Sequence, residues 1–127
     1  YGTKMGVELT PLGKPVIVAG EAWIRNKGVT QDARDKPHYF SLLDQLPLAP
    51  GQAEPDRERA LRYAYHFFFR RMIPLPFLEP NGTGAMFDVA VESVADFAPG
   101  NWAGLDVIMD GIVDARPFIH QSELIGG

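Results

Sequence analysis

The chain of 127 residues contains no cysteine, so a disulfide framework and thiolate chemistry are excluded. That absence fits a reducing cytosol. No apolar run approaches about 18 residues, so no membrane-spanning helix is expected, and no signal peptide is expected at the start. The three histidines, His38, His66 and His120, match no zinc spacing and are expected to be structural. Ser41, Ser93 and Ser122 lie in no nucleophile elbow, which removes support for serine hydrolysis. Gly-Thr-Gly at 82–84 is too short for a phosphate loop. Cations are nearly missing from the second half. Residues 73–127 hold Arg116 alone against eight Asp and Glu, a balance of −7, whereas residues 1–72 balance at +3. An anion site is therefore expected in the first half, and the net charge of −4 argues against a general nucleic-acid binder.

What is present suits one globular domain, with 46% hydrophobic and 22% charged residues. The chain opens on Tyr1, in mid-motif, and is expected to be a piece of a longer two-domain chain whose further strands precede it. Three parts are read along it: an α/β part at 1–46, a Pro/Gly-rich connector at 47–56, and a helical part at 57–127. A helix is predicted from a Thr3 cap to about Leu12, stopped by Gly13, followed by a parallel-type strand over "PVIVA", 15–19. The polar stretch 20–35 reads as a loop long enough to carry a function. Asp35 is predicted to cap a helix with Pro37 at its first position, running through "HYFSLLDQL". From Arg57 to Met72, Leu61, Ala64, Tyr65, Phe68 and Met72 form one helical stripe flanked by five arginines. Its spacing suggests core packing, against readings as a membrane or nucleic-acid surface. Residues 86–97 suit helix or strand. A last amphipathic helix places Leu105, Ile108, Met109 and Ile112 opposite Asp106, Asp110 and Asp114. Those aspartates read as an exposed face, and no metal site is assigned.

The opening stretch "YGTKMGVELTPLGKPVIVAG" carries the most chemistry. A helix start offers unpaired N–H groups and a partial positive charge, which attract phosphate. Gly2 permits close backbone approach, Thr3 adds a hydroxyl and Lys4 a full charge. Glu8, about one turn on, has the forked acceptor that suits the two hydroxyls of a ribose. The same pattern also describes an ordinary capped helix with an exposed glutamate. In "GEAWIRNKG", Arg25 and Lys27 are candidates to neutralise a leaving diphosphate, and Trp23 to stack on a sugar or base. Gly20, Glu21 and Gly28 complete this candidate donor or acceptor loop, with Glu21 a candidate base or acceptor ligand.

"ELTPLGKPV" resembles the helix–turn–strand signature in the C-terminal half of GT-B-fold glycosyltransferases. The longer stretch "YGTKMGVELTPLGKPVIVAGEAWIRNKGVT" is similar to bacterial capsular polysaccharide biosynthesis proteins, and "PGNWAGLDVIMDGIVDARPFI" looks loosely like their tail. The resemblance covers about 30 residues firmly and about 20 loosely. It implies an α/β, partial Rossmann-like half of a GT-B fold, helix-rich. Gly2, Thr3 and Lys4 would lie near the donor phosphates and Glu8 at the ribose. On their charge, Lys4, Arg25 and Lys27 are the candidate catalytic residues. Many retaining members carry a second glutamate eight positions upstream, a position that precedes residue 1 here.

The function so implied is transfer of a sugar from a nucleotide-sugar donor to a polysaccharide or glycolipid acceptor, with no cofactor. The absent N-terminal half would supply the acceptor's base. A cytoplasmic location at the inner face of the membrane, with peripheral attachment, goes with it. Two other readings accompany it: a non-catalytic α/β interaction module of a polysaccharide-assembly complex, and a nucleotide-sugar epimerase of the same architecture.

Overall fold

The computed structural model of the chain describes residues 4–48, 51–82 and 86–124. The chain is mixed α/β, with four α-helices and two two-stranded sheets among the described residues. It divides into two compact units, Tyr1–Phe67 and Phe68–Gly127, so the boundary falls beyond the 47–56 connector, within a helical segment.

In the first unit, α1 (Met5–Leu9) passes directly into a 3₁₀ turn at Thr10–Leu12. Pro11 has no amide to continue the α-helical ladder, so the coil tightens. Thr10 is completely buried and satisfies its hydroxyl by donating to the Gly6 carbonyl, 2.9 Å away. Gly13 then takes a left-handed φ of 75° and donates its amide to the Thr10 carbonyl, as the sequence predicts for a helix stop. The chain leaves this turn into β1 (Ile17–Val18), which pairs in parallel with β2 (Gln31–Asp32). The predicted strand at 15–19 is thus present, but only its centre is paired. Its register is fixed by the Gln31 amide donating to the Val16 carbonyl and the Ala33 amide to the Val18 carbonyl, both at 2.9 Å.

Asp35 caps α2 (Lys36–Leu43) as expected, its carboxylate accepting from the His38 amide at 2.7 Å. Asp56 caps α3 (Arg57–Tyr65) in the same way through the Arg59 amide. α3 packs on α1 and its 3₁₀ turn, and the small, buried Ala60 marks the close approach. Val7, Val18, Ile24, Val29, Ala33 and Leu42 complete this core. Each fully buried aliphatic side chain of this size contributes about 1.5–3 kcal/mol.

The stripe expected along residues 57–72 is not a buried face. Leu61 is 51% exposed, and Tyr65 and Met72 are exposed too. Within α3 the inward side is centred on Ala60, with Tyr63 and Ala64 half-buried, so Leu61 and Tyr65 fall outside it. After Tyr65 the helix widens into a π segment, His66–Arg71, which also shifts the later residues out of the α-helical register.

The second unit is built on an antiparallel hairpin, β3 (Leu78–Pro80) with β4 (Phe87–Val89), in the register Leu78 to Val89. Phe77, just before β3, is buried and meets the rings of Phe97 and Trp102 edge-on at 5.4 and 5.2 Å. A 3₁₀ turn at Val94–Phe97 follows β4, held by a reciprocal capping box between Ser93 and Asp96. The ambiguous 86–97 stretch is therefore strand first and 3₁₀ turn second.

The last helix, α4 (Ala103–Val113), forms where predicted but buries a different side. Met109 is 48% and Ile112 66% exposed, while the buried positions are Gly104 and Gly111. The neighbours come too close for side chains there. A Cβ on Gly104 would stand 2.0 Å from the Pro74 carbonyl oxygen, and one on Gly111 would stand 2.5 Å from the Phe118 ring. α4 thus turns its glycines inward, and part of its apolar side faces solvent. The expected Asp106, Asp110 and Asp114 face does carry acids, each with its own task. Asp106 accepts from the Gly100 amide, while Asp110 and Asp114 both pair with Arg116.

Gly104→Ala is expected to destabilise the chain by about 2 kcal/mol in urea denaturation, because a backbone carbonyl cannot yield as a side chain can. Gly20→Ala, with open space around its Cβ position, is expected to stay within about 0.5 kcal/mol of wild type.

Candidate functional site

The parallel pairing of β1 and β2 brings both strand ends to one edge. Ala19, Gly20 and Glu21 leave β1 there, and Ala33, Arg34, Asp35 and Lys36 leave β2. Open α/β sheets bind ligands at this edge, outside the carboxyl ends of parallel strands. A cleft of about 310 Å³ occupies it, lined by Gly20, Glu21, Arg25, Arg34, Lys36 and Tyr39, with Asp35. An adjoining hollow of about 250 Å³ shares Ala19, Gly20 and Glu21 with this cleft and extends to Gly6 in the first turn of α1. The start of α1 and the polar cleft therefore flank the same strand end.

Arg25 holds this edge in shape. Its guanidinium donates through Nη1 to the carbonyls of Gly20 at 3.2 Å and Val18 at 3.4 Å, and through Nη2 to Ala33 at 2.5 Å. One side chain thereby ties the end of β1 to the end of β2. The loop between the strands is sewn together by Asp32. Its carboxylate accepts from the Asn26 amide at 2.7 Å and from the Thr30 hydroxyl at 2.6 Å.

The cleft's charge is asymmetric. Arg25, Arg34 and Lys36 face Glu21 and Asp35 there, and the Asp35 carboxylate is already taken up by the α2 cap. Arg34 is anchored through its backbone, its amide donating to His38 Nδ1 at 3.1 Å. Lys36 sits with Nζ 5.9 Å from the Phe40 ring centre. Both cationic side chains are on exposed residues, able to meet an anion without first being pulled out of a core.

The residues singled out from the sequence separate into groups. Gly2 and Thr3 lie outside the described residues. Lys4 is the N-cap of α1 in helical conformation, and Glu8 stands one turn on; both are exposed. Among the described residues the Glu8 carboxylate makes no hydrogen bond or ion pair. α1 itself is five residues long, so its end carries only a small part of a full helix dipole. Gly20, Glu21 and Arg25 meet at the cleft, but Arg25 is engaged with three carbonyls and acts first as a tie.

Trp23, Lys27 and Gly28 turn towards α3 instead. The Trp23 ring lies 5.1 Å from that of Phe67, and its carbonyl accepts from the Tyr63 hydroxyl at 2.5 Å. Lys27 Nζ stands 5.9 Å from the Tyr63 ring centre. Gly28 has φ of 72° and lies against Arg59, whose Nη1 would be 2.6 Å from an added Cβ. Lys27 is thus directed to an aromatic face on α3, where a cation gains attraction from the ring quadrupole. Arg34, Lys36 and Tyr39 were not singled out from the sequence. The usable signal was "TQDA" as the second parallel strand, which puts the following Arg-Asp-Lys at a strand end.

No family model, curated protein or solved structure significantly matches the chain.

Arg25→Lys is expected to cost about 1–3 kcal/mol, because one ammonium cannot span three carbonyls as the planar guanidinium does. Hydrogen exchange at the Gln31 and Ala33 amides, which close the β1–β2 ladder, is expected to speed up in the variant. Unchanged exchange there contradicts the tie.

Proposed function

We propose that the chain is the donor-binding part of a GT-B-like glycosyltransferase, which transfers a sugar from a nucleotide sugar to a surface polysaccharide or glycolipid. The observation that carries this reading is the cationic cleft at the carboxyl end of the parallel β1–β2 pair, with the start of α1 beside it. Such a position suits a phosphate-bearing ligand, since a nucleotide donor demands charge neutralisation at its leaving group. In this reading Lys4 meets the phosphates and Glu8 the ribose hydroxyls, as the sequence resemblance implies, and Arg34 and Lys36 add positive charge from the cleft wall. Arg25 keeps the strand ends together, and Tyr39 offers a ring at the cleft wall. Lys27 is left out of the phosphate site because it does not line the cleft, as Lys36 does.

The acceptor's base belongs, in this reading, to a further half of the protein, and the reaction takes place in the cytoplasm at the inner face of the membrane. Among the described residues no helix is long and apolar enough to cross a membrane. A second reading, a non-catalytic interaction module, draws on the exposed apolar side of α4 at Met109, Ile112 and Val113.

Calorimetry of the whole chain with CMP, UDP and GDP separates the two. At least one nucleotide is expected to bind, and Lys36→Ala and Glu8→Ala are each expected to weaken it about tenfold, the loss of one charge-assisted hydrogen bond. Ser41→Ala, on the exposed part of α2, is expected to bind as wild type does. Failure of all three nucleotides to bind, or wild-type affinity in both site variants, overturns the transferase reading.

A further inference from the structure

The second unit holds a larger cavity than the cleft, about 510 Å³, between α4 and the segment 116–121. Val107 and Asp110 of α4 form one wall, Arg116 and His120 the other, and Arg70 closes it from the π segment. This size lies within the range of small-molecule sites, roughly 300–1,000 Å³.

Its polar groups are unusual for their surroundings. Residues 68–127 contain three Lys or Arg and one His, against eight acids. Two of those three cations, Arg70 and Arg116, and that histidine line this single cavity. His120 is only 5% exposed, its amide donates to the Arg70 carbonyl at 2.8 Å, and its ring makes no hydrogen bond among the described residues. Its ring nitrogens are not fully enclosed, and they reach solvent where the residue lines the cavity.

Arg70 Nε is buried and makes no hydrogen bond, and its charge is paired with Glu123, whose Oε1 stands 3.6 Å away. The three groups differ in exposure: His120 is 5% exposed, the Arg70 side chain 31% and that of Arg116 63%. Asp110 and Asp114 hold the Arg116 guanidinium in place at 3.0 and 3.5 Å.

We propose that this cavity is a binding site for a small molecule carrying an oxyanion, a carboxylate or a phosphoryl group, which accepts from Arg70 and His120 while its apolar part lies along Val107. The site is independent of the cleft in the first unit and does not rest on the transferase reading.

Titration of the whole, isotope-labelled chain with inorganic phosphate, with acetate and with chloride at matched ionic strength tests it by amide and Arg Nε–Hε correlation spectra. Saturable shifts are expected at Val107, His120, Gln121 and Arg70 Nε with phosphate or acetate, and none with chloride. The responding anion shows which oxyanion the site takes. Arg70→Gln is expected to weaken binding about tenfold or more. Arg116→Gln, an exposed change that leaves the buried groups intact, is expected to weaken it several-fold. Equal shifts with chloride, wild-type binding in both variants, or shifts confined to residues 19–39 overturn the proposal. The last of these outcomes leaves the first unit's cleft as a working anion site.

Discussion

The first unit depends on a single side chain closing a very short sheet. Two paired residues per strand are too few to hold an edge by ladder bonds alone. The Arg25 guanidinium supplies the missing order by bonding to carbonyls from both strand ends. A planar fork can do this because its donors are fixed relative to one another, so binding one carbonyl positions the next. The core beneath, Val18, Ile24, Val29 and Ala33, then has a floor to pack against. Without that tie, the Gln31 and Ala33 amides alone hold Gly20 and Glu21 against Arg34 and Lys36, and the cleft loosens.

The tie also explains how the cleft divides its labour. A cation used to bond carbonyls gains its stability from the folded backbone and is poorly placed to follow a ligand. The flanking cations stay exposed, Arg34 anchored through its backbone amide and Lys36 beside the Phe40 ring. Asp35 settles their position indirectly. By capping α2 it fixes the first turn on which Lys36 sits, and it occupies its own carboxylate in doing so. The local charge is therefore less opposed than the sequence of alternating signs, Arg-Asp-Lys, implies. In the second unit the same economy appears at α4, where two aspartates spend their charge orienting Arg116.

Much of this was legible in the sequence where local chemistry dictates structure. Gly13 as a left-handed stop, Asp35 and Pro37 at a helix start, β-branched residues at 16–18 and the helix near 103–113 all follow from short-range rules. What the sequence hid depended on partners far along the chain. Arg25 reads as a free loop cation until the parallel pairing brings three carbonyls to it. Nor does the sequence show that Lys27 and Trp23 lie beside Tyr63 and Phe67, some forty residues on. The stripe at 57–72 failed for a different reason: α3 turns the small Ala60 inward rather than Leu61, and a π segment then breaks the period from His66 on. On α4 the glycines, which no hydrophobicity pattern scores as core, turned out to be the buried positions.

The central claim is that the strand-end cleft tied by Arg25 is where the first unit meets a phosphate-bearing ligand. Mapping the amide shifts of the whole chain on addition of CMP, UDP or GDP tests it most directly. The account predicts saturable changes concentrated at residues 19–21 and 33–39, with a weaker response in the first turn of α1. Changes confined to residues 86–124, or no saturable change with any of the three, contradict it.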